Sequence, residues 1–228
     1  MSIRRQWRNS CNMIEEYLNK YLAQYFMTFP KGLVKKTGEL FSETRDILAD
    51  DISFRYKGKS VAALKDDEAL FDIMQVDQCL EATFLYRFER AIFLRDEKNA
   101  LLPYLASLMR LRTGLEIYYS TDIGPGLNIQ HGFGIVIGPR NRIGKNFIIH
   151  QQVTIGQARL YGSNESASIG DNVTVFAGAK ILGSLRVGDN VRIGANAVLV
   201  DDAEANSAYV GVPAKKVKVL NEVKEHIG

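Results

Sequence analysis

Residues 169–200 read IGDNVTVFAGAKILGSLRVGDNVRIGANAVLV. Within them Ile169, Val175, Ile181, Val187, Ile193 and Leu199 recur every six residues without a break. The fifth place of each hexad holds Val173, Ala179, Leu185, Val191, Ala197 and Ala203, and Gly170, Gly188 and Gly194 follow the aliphatic. Six is the period of neither a helix nor a plain strand. A fixed repeat of this kind marks a solenoid. Each unit makes one short strand and one bend, and three units close a triangular coil. The aliphatic points inward and stacks on its counterpart one coil away, contributing ~1.5–3 kcal/mol of transfer free energy. Upstream, Ile137, Ile143, Ile149 and Ile155 keep the same period, as do Ile117, Ile123 and Ile129. Two steps break it: Ile129 to Ile137 is eight residues, and Ile155 to Ile169 is fourteen.

The chain before Gly114 has another rhythm. Met13, Ile14, Tyr17, Leu18, Tyr21, Leu22, Tyr25 and Phe26 form the i, i+3, i+4, i+7 stripe of an amphipathic helix, ended by Pro30 with Gly32 behind it. Residues 41–56 read as a second helix. Residues 64–74 read as a third, with Asp66 and Asp67 where an N-cap sits. Residues 77–112 read as two more, broken near residues 95–98. The aromatics here are read as helix-packing residues, and no metal or nucleophile motif is spelled out. The expected fold class is α+β. An α-helical domain covers 1–114, and a β-domain of hexapeptide repeats covers 115–212 with a polar loop at 157–168. A tail covers 213–228.

Composition sets outer bounds. Of 228 residues, 46% are hydrophobic and 24% charged, an ordinary globular balance. A net charge of +3 is too small to argue for nucleic acid. No apolar run approaches the ~18 residues of a membrane span, and MSIRRQWRNS lacks the apolar core of a secretory signal. Cys11 and Cys79 read as two reduced thiols of a cytoplasmic protein.

Three stretches carry a resemblance: GLNIQHGFGIVIGPRNRIGKNFIIHQQVTIG (126–156), FAGAKILGSLRVGDNVRIGANAVL (176–199) and GVPAKKV (211–217). Together they resemble the hexapeptide-repeat acyltransferases, in the serine O-acetyltransferase-like branch. The likeness covers about residues 115–218. It implies a left-handed parallel β-helix, acetyl-CoA as co-substrate without a metal, and a homotrimer, with trimers pairing through the helical half as a further option. It implies a small-molecule hydroxyl acceptor and neither nucleic acid nor a membrane span.

His131 sits in the eight-residue step, between Gln130 and Gly132, with Gly134 beyond. Acetyl transfer from a thioester to a hydroxyl needs a base for the hydroxyl proton. An imidazole with its ordinary pKa near 6.5 suits that task. A carboxylate on its other nitrogen holds the tautomer and steadies the imidazolium, and backbone N–H groups of a glycine-rich bend stabilise the oxyanion. The resemblance transfers the catalytic histidine to His131 and its carboxylate partner to Glu116, where the family has an aspartate. His150 is assigned to the acceptor pocket, a solvated side chain being the alternative. A zinc centre would need at least three good ligands, and the histidines do not supply them.

On the donor side the resemblance places acetyl-CoA against the small residues Ala177, Gly178, Ala179 and Ala195. Small residues let a ligand approach the backbone. Lys215, Lys216 and Lys218 are candidate partners for its phosphates. On the acceptor side the chain departs from the family. Serine acetyltransferases have an aspartate before the catalytic histidine, where this chain has Gln130. They have Arg-His-Pro-Lys-Ile where this chain has Glu165, Ser166, Ala167, Ser168 and Ile169. Gln130 and Ser166 are therefore acceptor-pocket candidates, and the reversed sign at Glu165 disfavours an amino-acid carboxylate. The expected activity is acetyl-CoA-dependent O-acetylation of a small acceptor, a sugar or saccharide precursor. Alternatives are serine O-acetylation in cysteine synthesis, a non-catalytic repeat scaffold and a metal-dependent hydratase.

Overall fold

The computed structural model describes residues 3–27, 34, 38–56, 67–159 and 164–219. The chain divides into two compact units, Met1–Gly114 and Leu115–Gly228. Pro30, Gly32, Asp66, His226 and the chain end lie outside the described residues, as do the side chains of Cys11 and Asp67.

Among the described residues the first unit holds five helices: α1 (Ile3–Tyr25), α2 (Gly38–Arg55), α3 (Asp67–Met74), α4 (Gln78–Arg95) and α5 (Leu102–Thr113). The first helix begins earlier than its apolar stripe and ends at Tyr25. Asp77 caps α4 by accepting from Cys79 N and Leu80 N at 3.0 Å each. Gly114, at φ 68°, closes α5 in the left-handed region that a side chain would resist. Helix α4 is wrapped on almost every side and brings Phe84 and Phe88 into a stack. Tyr17 meets Phe84 edge to face, so these aromatics are packing residues.

Three charged side chains of α4 are buried with them. Arg87 donates to both carboxylate oxygens of Asp51 on α2, at 2.8 and 2.9 Å. Glu81 accepts from the Tyr17 hydroxyl and the Arg112 guanidinium. Glu89 is fully buried, and neither of its carboxyl oxygens has a hydrogen-bond partner among the described residues. Burial pushes its pKa well above the usual carboxyl range, against a smaller opposing pull from Arg110. With the folded pKa raised, this group's stability is full below the unfolded carboxyl pKa and is lost as pH rises through the folded one. Unfolding free energy measured against pH is therefore expected to fall by up to about 1.4 kcal/mol per pH unit as pH rises from the unfolded carboxyl pKa to the raised folded one. Glu89→Gln should flatten that slope, and an unchanged slope would assign it elsewhere.

The second unit is a three-sided parallel solenoid. Face one stacks β1 (Glu116–Ile117), β4 (Val136–Ile137), β7 (Thr154–Gly156), β10 (Lys180–Leu182) and β13 (Val198–Leu199). Face two stacks β2 (Asp122–Ile123), β5 (Arg142–Ile143), β8 (Ser168–Ile169) and β11 (Arg186–Val187). Face three stacks β3 (Asn128–Gln130), β6 (Ile148–His150), β9 (Thr174–Val175), β12 (Arg192–Ile193) and β14 (Ser207–Val210), then β15 (Lys215–Val219), which returns antiparallel. Registry joins the hexad aliphatics into three columns. Ile117, Ile137, Ile155, Ile181 and Leu199 form the first. Ile123, Ile143, Ile169 and Val187 form the second. Ile129, Ile149, Val175 and Ile193 form the third. All are at most 4% exposed.

The corners are set by left-handed backbone. Between faces two and three, Gly126, Asn146, Asn172, Asn190 and Asn206 all have φ between 56° and 85°. Asparagine tolerates this region better than most residues, and its amide adds a rung: Asn146 donates to Asn172 at 2.9 Å, and Asn190 to Asn206 at 2.8 Å. The two irregular steps are absorbed at other corners. The eight-residue step bulges between β3 and β4; the fourteen-residue step is the loop between β7 and β8.

Candidate active site

His131 follows β3 at the corner of faces three and one, with φ 53°. Its carbonyl accepts from Phe133 N at 2.6 Å, which turns the chain sharply and leaves the His131 side chain exposed. Successive coils stack beneath this corner. Gln152 N donates to Phe133 O, Gly178 N to Gln151 O and Asn196 N to Ala177 O, at 2.8–2.9 Å. One edge of the prism thus carries His131, Gln151, Ala177 and Ala195 in order. The candidate base and the small residues proposed for the donor, 46 or more positions apart in the chain, are brought to one edge. At Gly178, φ 73°, a Cβ would lie 2.1 Å from the Asn196 Oδ1. Glycine is required there for the coils to approach. Ala179 belongs elsewhere. Its side chain is fully buried in the interior, so it packs the core and offers no surface to a donor.

Gln130 pairs in register with His150 of the next coil, so the two share the outer surface of face three. The Gln130 amide Nε2 donates to Asn128 Oδ1 at 2.7 Å. The His150 ring stacks on Phe176 with centroids 5.2 Å apart and planes 24° apart. Burial, and then the charge of nearby His131, pushes the His150 pKa below the ordinary histidine range. Glu116 opens β1, on face one and in register with Val136. Its pairing with His131 is a proposal taken up below.

Ser166 and Glu165 lie apart from this group within one chain. The loop that carries them joins β7 to β8, at the other edge of face one. Residues 160–163 of that loop lie outside the described residues. Glu165 Oε2 accepts from Ala158 N at 2.7 Å and Arg159 N at 3.3 Å, and Oε1 lies 3.6 Å from Arg159 Nε. The carboxylate thus closes the neck of the loop, and the charge at this place belongs to the loop's own structure. Of the three lysines, Lys215 is exposed and pairs in register with Val210 on face three, with Asp201 3.8 Å from its ammonium. Lys216 donates to Glu204 at 2.6 Å, which raises its pKa. The Lys218 side chain lies outside the described residues.

Three residues at the edge were not singled out by sequence reasoning. Gln151 buries its Oε1 without a hydrogen-bond partner among the described residues. Phe133 is 68% exposed beside His131. Lys180 donates to the carbonyls of Gln152 and Gly178, at 2.6 and 2.9 Å, clipping two coils together. The hexad pattern marks none of them, because it reports inward-facing places. Among the described residues no three histidine, cysteine, aspartate or glutamate side chains gather as a metal site would need, and no helix is long and apolar enough to cross a membrane.

Residues 166–201 match the family model of the bacterial transferase hexapeptide, six repeats. Serine acetyltransferase of Helicobacter pylori strain J99 is 37% identical over 157 residues, spanning 68% of this chain and 91% of that protein. The Staphylococcus xylosus serine acetyltransferase is 40% identical over 124 residues, 54% of this chain and 57% of that one. Among solved structures, Neisseria gonorrhoeae serine acetyltransferase superposes with a TM-score of 0.72 at 23% identity, covering 98% of this chain and 94% of that chain. Brucella abortus serine acetyltransferase in complex with coenzyme A gives 0.72 at 23%, covering 91% and 83%. The helical unit followed by a left-handed parallel β-helix, expected from the sequence, is therefore the fold. The chain belongs to the serine acetyltransferase family, the acetyl-CoA-dependent O-acetyltransferases built on hexapeptide repeats.

Proposed function

We propose that this enzyme transfers the acetyl group of acetyl-CoA to the side-chain hydroxyl of L-serine, with His131 as the base. The observation that carries the reading is the 37% identity to a serine acetyltransferase over 91% of that protein's length. His131 accepts the hydroxyl proton as the oxygen attacks the thioester carbonyl. The tetrahedral adduct then collapses, and the departing thiolate takes the proton back. Glu116 steadies the imidazolium in between. Ala177, Gly178 and Ala195 let the pantetheine arm lie along the edge, and Lys215 meets its phosphates at the far end. A homotrimer in the cytoplasm completes the reading.

A second acceptor class is favoured by two residues. Gln130 stands where the family has a carboxylate, and Glu165 closes a loop neck where the family has a cation. A neutral, hydroxyl-rich acceptor such as a sugar fits those two exchanges. The test is thiol release from acetyl-CoA with L-serine beside a panel of neutral and amino sugars. Saturable turnover on serine, with the sugars inert, is expected. Turnover on a sugar alone would transfer the assignment to the second class, and the lack of thiol release with every acceptor offered would sink both.

A further inference from the structure

We propose that a cavity between α1 and α3 of the helical unit is a binding site for a small organic cation, an alkylated ammonium on an apolar body. The site uses none of the residues at the prism edge and is independent of the acceptor.

Helix packing leaves the space. Helix α1 packs on α2 and α5, and α3 packs on α4. Between α1 and α3 a cavity of about 230 Å³ opens, smaller than the ~300–1,000 Å³ of a drug-sized cleft. Its floor is aromatic. Tyr17, Tyr21 and Phe71 line it and are each at most 7% exposed. The Tyr17 ring lies 4.9 Å from Tyr21, edge to face, and 5.6 Å from Phe71, tilted by 45°. Contacts outside the cavity hold these rings. The Tyr17 hydroxyl donates to Glu81, and the Arg112 guanidinium stands 3.7 Å from the Tyr21 centroid. Burial, then the charge of Glu81, pushes the Tyr17 pKa up, so its hydroxyl stays neutral.

The rim carries the charge. Glu16 of α1 and Asp72 of α3 bring one exposed carboxylate from each helix. Among the described residues neither has an ion-pair partner. Gln75 ties rim to floor: its Oε1 accepts from the Tyr21 hydroxyl at 3.5 Å, and its Nε2 donates to Asp72 Oδ1 at 3.4 Å. Lys20 is the one cation of the lining, and its ammonium lies 4.9 Å from the centre of the Tyr21 ring. Two carboxylates against one ammonium leave the rim net negative, and the faces of the rings attract positive charge as well. Lys20 shows what this cavity draws in. The chain's own cation rests on the aromatic floor, on an exposed flexible stem that a ligand cation can displace. An anion would meet two carboxylates and the negative ring faces. A neutral apolar body would leave both carboxylates unused.

The experiment titrates the full-length protein, followed by NMR, with three benzyl compounds of similar size. Benzyltrimethylammonium is cationic, benzyl methyl sulfone neutral and phenylmethanesulfonate anionic. The cation is expected to bind about tenfold or more tightly than the sulfone, and the sulfonate not at all. Glu16→Gln and Asp72→Asn should each weaken the cation by about threefold or more. Lys20→Met, which removes the competing ammonium, should tighten it by about threefold. The three side chains are exposed, so the variants should melt with the wild type. Equal affinity for cation and sulfone, a preference for the sulfonate, or no binding of the cation at millimolar concentration overturns the site. So does a cation affinity that none of the three substitutions changes.

Discussion

His131→Asn is expected to lower kcat by about 10²–10⁴-fold, the range that a positioned general base supplies. Asparagine is the informative replacement because His131 sits at φ 53°, a conformation asparagine tolerates and alanine resists. The folded state should survive. His131 is exposed, so the melting temperature should stay within about 3 °C of wild type. Binding of acetyl-CoA should also survive, because the small residues of the donor edge lie two or more coils away from the imidazole. Thiol release measured alongside calorimetric binding separates the two effects. A variant that retains most of the wild-type rate would remove His131 from the base role. A variant that loses donor binding in step with rate would make His131 a packing residue of the corner.

Arg87→Ala is expected to cost about 3–5 kcal/mol, because it strands the Asp51 carboxylate without its cation in the helical interior. Both side chains are buried, at 2% and 1% exposure, and the guanidinium grips both carboxylate oxygens. Against a total stability of about 5–15 kcal/mol, that loss is a large fraction of what holds the unit folded. The double variant Asp51→Leu with Arg87→Met replaces the pair by apolar groups of similar size and should recover most of the loss. Urea unfolding of the single and double variants checks both statements. If the double variant were no more stable than the single, the loss would come from packing and not from the stranded charge.

The solenoid was readable because packing enforces its period. A coil closes only if an aliphatic side chain points inward at every sixth place, so Ile169, Val175, Ile181, Val187, Ile193 and Leu199 announce it directly. The same constraint made His131 conspicuous, since the eight-residue step breaks an enforced rhythm. Outward-facing places carry no such constraint. That Gln130 shares a surface with His150, or that Gln151 stands between His131 and Ala177, follows from registry between coils. Registry depends on how many residues each corner absorbs, and the sequence does not state that. Ala179 was misassigned for the same reason: smallness marks a groove and a tight interior alike, and only the placed side chain separates them. Helix α1 extends well before its apolar stripe, because a stripe reports the buried part of a helix and not its ends.

The prism edge that carries His131, Gln151, Ala177 and Ala195 also behaves as a ruler. Each coil advances by one strand spacing, ~4.8 Å, so Ala195 stands ~14 Å from the level of His131. Positions along the edge are therefore graduated in whole steps. Side-chain changes can adjust what a step recognises, but not where it falls. Lengthening or shortening the measured span takes the gain or loss of an entire coil, about eighteen residues at once, as between Ile137 and Ile155. A donor of fixed length and a scaffold with discrete graduations suit each other. Drift by single insertions would fall into the corner bulges and leave the graduations where they are.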